Sequence, residues 1–252
     1  MSEIPRRRAA PIRGISAVLP VHDEAPNLGQ VTARTIEALE DTAPDFEIII
    51  VDDGSKDATS RLADGLAARD PRVRVVHHAR RRGYGAALRA GIAEASKQFI
   101  WCLDADGQYN PADLSRLAQF DDAYDLVAGY RARRADSILR RLLSGVYRLL
   151  IRVSLSIKAR DPNCGFKLYR ATTLKSLPLS AMGRFVQVEI LVRLQERGSS
   201  IQEVSVHHRA RHAGRQMGAR PGTIVEMARE WAAFRKRRRE EAKTVPDSGS
   251  AS

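Results

Sequence analysis

Three short apolar runs in the first half of the chain each break off at acidic residues, and this recurrence constrains the fold more than any other feature. Ile15–Val21 is followed by His22, Asp23 and Glu24, Phe46–Val51 by Asp52, Asp53 and Gly54, and Phe99–Leu103 by Asp104, Ala105, Asp106 and Gly107. A short apolar run closed by a turn signal predicts a buried strand. Between these runs lie stretches of helical spacing: Asn27–Glu40, with Leu28, Val31, Ile36 and Leu39 recurring and Asn27 as N-cap, then Asp57–Ala68 and Ala86–Ala95. Val73–Val76 adds a further short strand. Strand and helix alternate four times with crossovers too long for hairpins, which predicts an α/β fold built on a mostly parallel sheet flanked by helices. Ligands of such sheets bind beyond the carboxyl ends of the strands, where the acids collect.

Asp104 and Asp106 stand one residue apart at the end of their strand. Side chains alternate along a strand, so both would face the same way, and the turn at Gly107 lets them converge. Two carboxylates sharing a point repel each other unless a cation lies between them. Hard oxygen ligands suit Mg2+ or Mn2+. Taken alone, Asp-Ala-Asp-Gly also reads as an ordinary strand-ending turn. The gathering of acids on one rim of one sheet favours the metal or polar-ligand reading.

The chain has 252 residues, 43% of them apolar and 29% charged, which fits a single folded domain. The formal net charge is +12 and the isoelectric point is near 10.3, pointing to an anionic partner: a phosphorylated substrate, an anionic membrane surface or nucleic acid. Cys102 and Cys164 lie far apart with no metal-site spacing, so a reduced, cytoplasmic setting is expected. No apolar run is long enough to span a bilayer and no signal peptide is recognisable. The expected division is a basic flexible arm (1–13), an α/β domain (14–220), an amphipathic basic helix (221–241) and a disordered tail (242–252).

These motifs resemble those of family 2 glycosyltransferases of the GT-A fold, and among them the dolichyl- and polyprenyl-phosphate sugar synthases. The resemblance is carried by Leu19-Pro-Val-His-Asp-Glu-Ala-Pro-Asn-Leu28, Ile49-Ile-Val-Asp-Asp-Gly-Ser-Lys-Asp57, Gly83-Tyr-Gly-Ala-Ala-Leu-Arg-Ala-Gly-Ile92, Asp104-Ala-Asp-Gly-Gln108 and Asp161-Pro-Asn-Cys-Gly-Phe-Lys-Leu-Tyr169. It implies that Pro20, Glu24, Asp52 and Asp53 bind the nucleotide of a sugar donor, with Asp104, Asp106 and Gln108 holding Mg2+ or Mn2+ against the diphosphate. It also implies that Arg131, Arg140 (or Arg141) and Ser144 receive the acceptor phosphate. Arg209, Arg211 and Arg215 would lie in a basic lid over the diphosphate. The sequence departs from the family pattern at His22-Asp23, where an aromatic-Asn pair is usual, and at Gln216-Met217, where Ser-Lys is usual. Either GDP-mannose or UDP-glucose fits as donor.

On the acceptor side, Ser137–Ile157 has helical apolar spacing punctuated by arginines, as expected of an amphipathic helix at a membrane surface or lipid groove. Pro221–Arg239 reads similarly and ends in Arg235-Lys-Arg-Arg-Arg239, suited to peripheral attachment at the inner face of the membrane. A polyprenyl phosphate is already anionic and needs no general base; a soluble hydroxyl acceptor would need one, with Asp161 the first candidate. The three histidines of His207–His212 read as part of the basic lid rather than as a metal site. A nucleic-acid-binding protein is the remaining alternative. No helix-turn-helix or zinc motif supports it.

Overall fold

The computed structural model describes residues 12–120, 123–131, 153–209 and 221–244. In chain order the elements are β1 (Ile15–Val21), α1 (Ala25–Glu40), β2 (Phe46–Asp52), α2 (Thr59–Arg69), β3 (Val73–His77), α3 (Tyr84–Glu94), β4 (Phe99–Cys102), α4 (Leu114–Leu117), β5 (Leu126–Arg131), β6 (Lys167–Arg170), α5 (Ala171–Lys175), α6 (Val186–Glu196), β7 (Ile201–Val206) and α7 (Pro221–Thr244). The strands form one sheet in the order β3-β2-β1-β4-β6-β5-β7. The α/β class and the mostly parallel sheet expected from the sequence are therefore present. The exception is β6, which runs antiparallel between β4 and β5.

Every residue of β1, β2 and β4 is buried, as strands covered on both faces require. Alternate side chains feed two cores. Ile15, Ala17 and Leu19 pack with Leu28, Val31 and Leu39 of α1 on one face. Val18, Ile49 and Ile100 pack with Leu88 of α3, Ile190 of α6 and Phe234 of α7 on the other. The chain builds outward from β1 to β2 and β3, then returns across the sheet to β4 on the opposite side of β1. The carboxyl ends of β1 and β4 thus flank the topological switch point, the position where open α/β sheets bind ligands. Because β6 is reversed, with Cys102 opposite Lys167, its approach (161–166) arrives at the same rim.

Several boundaries differ from the expectation. Asn27 is not the N-cap of α1: the helix starts at Ala25, after Glu24, with a proline in its first turn. Asp57 accepts the Ala25 N–H, and Asn27 instead donates its side-chain amide to Glu24. α7 continues to Thr244, past the expected end of the basic helix at 241. Of the expected helix over 137–157, residues 137–152 lie outside the described residues, while 153–155 are helical. Arg140, Arg141, Ser144, Arg211 and Arg215 also lie outside them.

One buried carboxylate ties the amino-terminal ends of the first strands together. Glu47 accepts hydrogen bonds from Ser16 Oγ (2.7 Å), Ser96 N (2.6 Å), Ser96 Oγ (2.8 Å) and Arg74 Nη2 (2.8 Å). Burial pushes its pKa up, but these bonds outweigh burial and bring it from 4.5 to about 2. A carboxylate with a depressed folded pKa stabilises the fold above its unfolded pKa. That contribution is lost as pH falls through the folded value. Acid titration from pH 4.5 to 2 should therefore remove on the order of 2 kcal/mol of stability that Glu47→Gln lacks throughout. Chemical denaturation of both proteins across that window measures the difference.

Candidate active site

The loops that leave β1, β2 and β3 meet in a cleft of about 840 Å³, lined among others by Glu24, Asp52, Lys56, His77, Arg80 and Arg81. Asp52, at the end of β2, is 2% exposed and accepts hydrogen bonds from Ser55 N (3.0 Å) and Ser60 Oγ, with His77 Nδ1 at 3.1 Å. Burial pushes its pKa up, but these partners draw it below the usual carboxylate range. Asp23 and Ser55 lace the first two loops together through Asp23 N to Ser55 Oγ (3.0 Å) and Lys56 N to Asp23 Oδ1 (2.8 Å). Glu24 is half-buried on the rim, and Pro20 is buried within β1 itself, opposite Val51.

Asp53 faces elsewhere. Its Oδ1 accepts from Arg82 N and lies 2.8 Å from His78 Nδ1, and its Oδ2 accepts from Gly83 N, also at 2.8 Å. It is 3% exposed and absent from the cleft lining. Asp53, expected to bind the nucleotide with Asp52, instead shapes the basic turn from 80 to 83 and is turned away from this cleft. Two adjacent acids on a strand end point to opposite sides, so the neighbour of a lining residue is the one that is turned away.

Asp104 and Asp106 follow β4 at the switch point. Asp104 Oδ1 accepts the Tyr84 hydroxyl at 2.8 Å, and Oδ2 lies 3.7 Å from Arg184 Nη1. Gly165, just ahead of β6, packs directly against this carboxylate: a Cβ at 165 would sit 2.5 Å from Asp104 Cγ. Asp106 Oδ1 accepts Gln108 N (3.1 Å) across the turn, which Gly107 permits with φ of 74°. Gln108 donates its side-chain amide to Arg209 O (3.1 Å), and its carbonyl accepts Arg209 N (2.8 Å). Since a carbonyl can only accept, the Gln108 side-chain oxygen points away from it and is left for another partner.

These donors fit a divalent cation of the Mg2+ or Mn2+ type. Among the described residues no three His, Cys, Asp or Glu side chains converge as a ready-made cage. Small hard cations are commonly held that way, by one or two carboxylates with substrate phosphates completing the shell. Asp104, Asp106 and Gln108 would supply the protein's share of such a shell.

Further along the rim, Arg131 ends β5 and is gripped by Asp161 through two bonds, Nε to Oδ2 (2.6 Å) and Nη2 to Oδ1 (2.9 Å). Asp161 is 5% exposed. A buried carboxylate committed to a guanidinium is not a general base, so the role expected for it with a hydroxyl acceptor is withdrawn. His207 bonds to Asp113 through both its backbone N–H (2.6 Å) and Nδ1 (2.9 Å), and His208 stacks edge-on to Tyr109. The start of the basic segment is thereby sewn to the Asp104–Tyr109 turn, with the Arg209 side chain exposed.

Sequence reasoning missed Tyr84, Gln187 and Arg184. Gln187 donates to the Tyr84 hydroxyl (2.9 Å) and accepts from the buried Lys167 (2.6 Å), completing a chain of hydrogen bonds that ends on Asp104. Arg184 lies over the Tyr84 ring, 4.9 Å from its centroid. Tyr84 stood inside a recognised glycine-bearing motif without a chemical role, and residues 178–185 carried no periodicity that would place them.

The profile of the family described as "Glycosyl transferase family 2" matches residues 16–177. "Undecaprenyl-phosphate 4-deoxy-4-formamido-L-arabinose transferase" of Salmonella choleraesuis (strain SC-B67) is 32% identical over 209 residues, covering 82% of this chain and 63% of the relative. The chain thus spans somewhat less than two thirds of that relative's length. Among solved structures, glucosyl-3-phosphoglycerate synthase from Mycobacterium tuberculosis in complex with Mn2+ and UDP-glucose has a TM-score of 0.65 and 25% identity, covering 94% of this chain and 81% of that one. The complex of the same synthase with Mn2+, UDP and glucosyl-3-phosphoglycerate has a TM-score of 0.68 at 24% identity, covering 94% and 82%. With every acidic strand end and the approach to β6 inside the matched stretch, and the sheet superposing on GT-A enzymes, the chain belongs to glycosyl transferase family 2.

Proposed function

We propose that the protein is an inverting, metal-dependent glycosyltransferase that moves a sugar from a nucleotide sugar to a polyprenyl phosphate. The observation that carries this reading is the pairing, on one rim, of the Asp104–Asp106–Gln108 oxygens with a cleft deep enough for a nucleotide. The nucleotide would occupy the cleft beside Glu24 and Asp52, leaving its diphosphate over the β4 turn. A divalent cation bound there supplies Lewis-acid stabilisation of the charge that develops on the departing diphosphate. An acceptor phosphate oxygen attacks the anomeric carbon as the bond from that carbon to the diphosphate breaks, inverting its configuration. Arg131, held rigid by Asp161, offers its remaining N–H groups to the acceptor phosphate, with Arg209 on the opposite wall.

Two points favour a phosphate over a hydroxyl acceptor. Asp161 is consumed by Arg131, so that candidate base is gone, and an anionic phosphate needs none. The relative named above is an undecaprenyl-phosphate enzyme. Among UDP-glucose, GDP-mannose and the sugar class of that relative, the UDP-glucose complex of the structural neighbour puts a UDP sugar first. Incubating the purified protein with Mn2+, undecaprenyl phosphate and a panel of nucleotide sugars should give a lipid-linked sugar from one of them. Transfer only to water-soluble hydroxyl acceptors would select the other acceptor class.

α7 supports a reading in which the protein attaches at the inner face of a membrane. No helix among the described residues is long and apolar enough to cross a membrane. Phe234 is buried against Phe185, and Arg238 is tied to Glu196. Lys236 and Arg239 remain exposed beside Trp231, over which Arg235 lies at 5.1 Å. Each exposed basic residue near an anionic bilayer contributes about 1 kcal/mol. The Lys236→Ala/Arg239→Ala protein should therefore sediment with phosphatidylserine vesicles roughly thirtyfold more weakly than the wild type, while neutral vesicles bind neither.

A further inference from the structure

The family profile ends at residue 177, yet the wall of the site that faces Asp104 is made by residues beyond it. The segment 181–183 is wedged between two elements. On one side Met182 O accepts hydrogen bonds from Gly85 N (2.7 Å) and Ala86 N (3.2 Å) at the start of α3. Glycines admit it there: a Cβ at 83 would lie 2.5 Å from Met182 O, and one at 85 the same distance from Ala181 O. On the other side Glu230 of α7 reaches over and accepts from both Met182 N (2.8 Å) and Gly183 N (2.6 Å) with a single oxygen, Oε1. A Cβ at 183 would meet Glu230 Oε2 at 2.8 Å, so the carboxylate would have to shift from its place in the clasp.

The next residue is Arg184. Its guanidinium is carried onto the Tyr84 ring and to 3.7 Å from Asp104 Oδ2, yet its side chain keeps 41% exposure toward the rim. Ring and carboxylate hold the head without satisfying its five donors, and 3.7 Å is too long for a hydrogen bond to the carboxylate. A cation held in that way beside the carboxylates that would carry a metal has its open face where a diphosphate would lie.

We propose that Arg184 is a direct contact for the diphosphate of the donor, working beside the metal, and that Glu230 is the positioning residue that sets it there. The proposal rests on the donor site described above. It makes the C-terminal helix a part of that site rather than an appendage.

Calorimetric titration of the full chain with UDP, GDP and the corresponding nucleosides, with and without Mn2+, tests it. If the site is as proposed, Arg184→Ala weakens binding of the preferred nucleoside diphosphate roughly 10- to 100-fold while leaving the nucleoside unchanged, since only the charge-assisted contact is lost. Arg184→Lys, which keeps the charge and the stem, recovers part of that loss. Glu230→Ala reproduces the diphosphate-selective loss, and Glu230→Gln, which retains an acceptor oxygen, restores it. Tight wild-type binding that Arg184→Ala and Arg184→Lys both leave intact overturns the proposal and spares the donor site. So does an equal loss of diphosphate and nucleoside in Glu230→Ala that Glu230→Gln fails to rescue. Failure of the wild type to bind either diphosphate overturns both readings.

Discussion

Replacing Asp106 by alanine is expected to lower sugar transfer by on the order of a thousandfold or more, with little change in stability. The two halves of this expectation have separate physical origins. Asp106 sits in a half-buried turn whose conformation is set by Gly107 at φ of 74°, and it lies outside the two cores. Removing its carboxylate strands no buried charge. On the proposed function it takes away an oxygen that would bind the metal and that no neighbouring acid replaces, because Asp104 also accepts the Tyr84 hydroxyl and faces Arg184. The melting temperature should hold while the concentration of Mn2+ needed for half-maximal activity rises steeply. A metal titration of the mutant, followed by product formation, reads both.

The second large effect is expected at a residue with no side chain to contribute. In Gly165→Ala the new Cβ would lie 2.5 Å from the Asp104 Cγ and Oδ2 and 2.6 Å from Oδ1. No contact that short survives, so either the approach to β6 or the carboxylate must move. The backbone N–H of Gly165 donates to the buried Tyr109 hydroxyl (3.1 Å), and the next residue, Phe166, is wholly buried against Trp101. The carboxylate is thus the softer of the two. A shift of about 1 Å in a metal-binding group costs on the order of a hundredfold in rate. The expected signature is a protein that is folded and has native-like circular dichroism, with Asp104-dependent metal affinity lost. Wild-type turnover would mean that the segment before β6 does not abut the metal pair.

The contrast between these two positions also shows what a sequence makes legible. The acids at the ends of β1, β2 and β4 could be placed because parallel strands, buried on both faces, announce themselves as short apolar runs and because the chain alternates with helices. Their convergence on one rim follows from topology alone. What decides the use of each acid is not local. Asp52 and Asp53 are neighbours in sequence, yet one faces the cleft and the other organises the turn at 82–83; pleating separates them, and only their partners reveal which is which. Asp161 looked like an available base until Arg131, thirty residues earlier in the chain, was seen to hold both its oxygens. The reversal of β6 brings Gly165 to Asp104, and the clasp of Glu230 brings in Arg184. Such contacts join segments some 30 to 80 residues apart, at distances over which neither periodicity nor propensity carries information. The sheet and its acidic rim were therefore readable in outline, and the walls that orient those acids were not.

The central claim is that Asp104, Asp106 and Gln108 hold a divalent cation against the diphosphate of a nucleotide seated beside Asp52. Anomalous diffraction from crystals grown with Mn2+ and UDP addresses it most directly. The account predicts a manganese peak at the β4 turn beside the Asp104 and Asp106 carboxylates and next to the diphosphate, with Arg184 contacting that diphosphate from the opposite flank. A nucleotide bound in the cleft with no manganese at the β4 turn, or manganese bound away from Asp104 and Asp106, would contradict it.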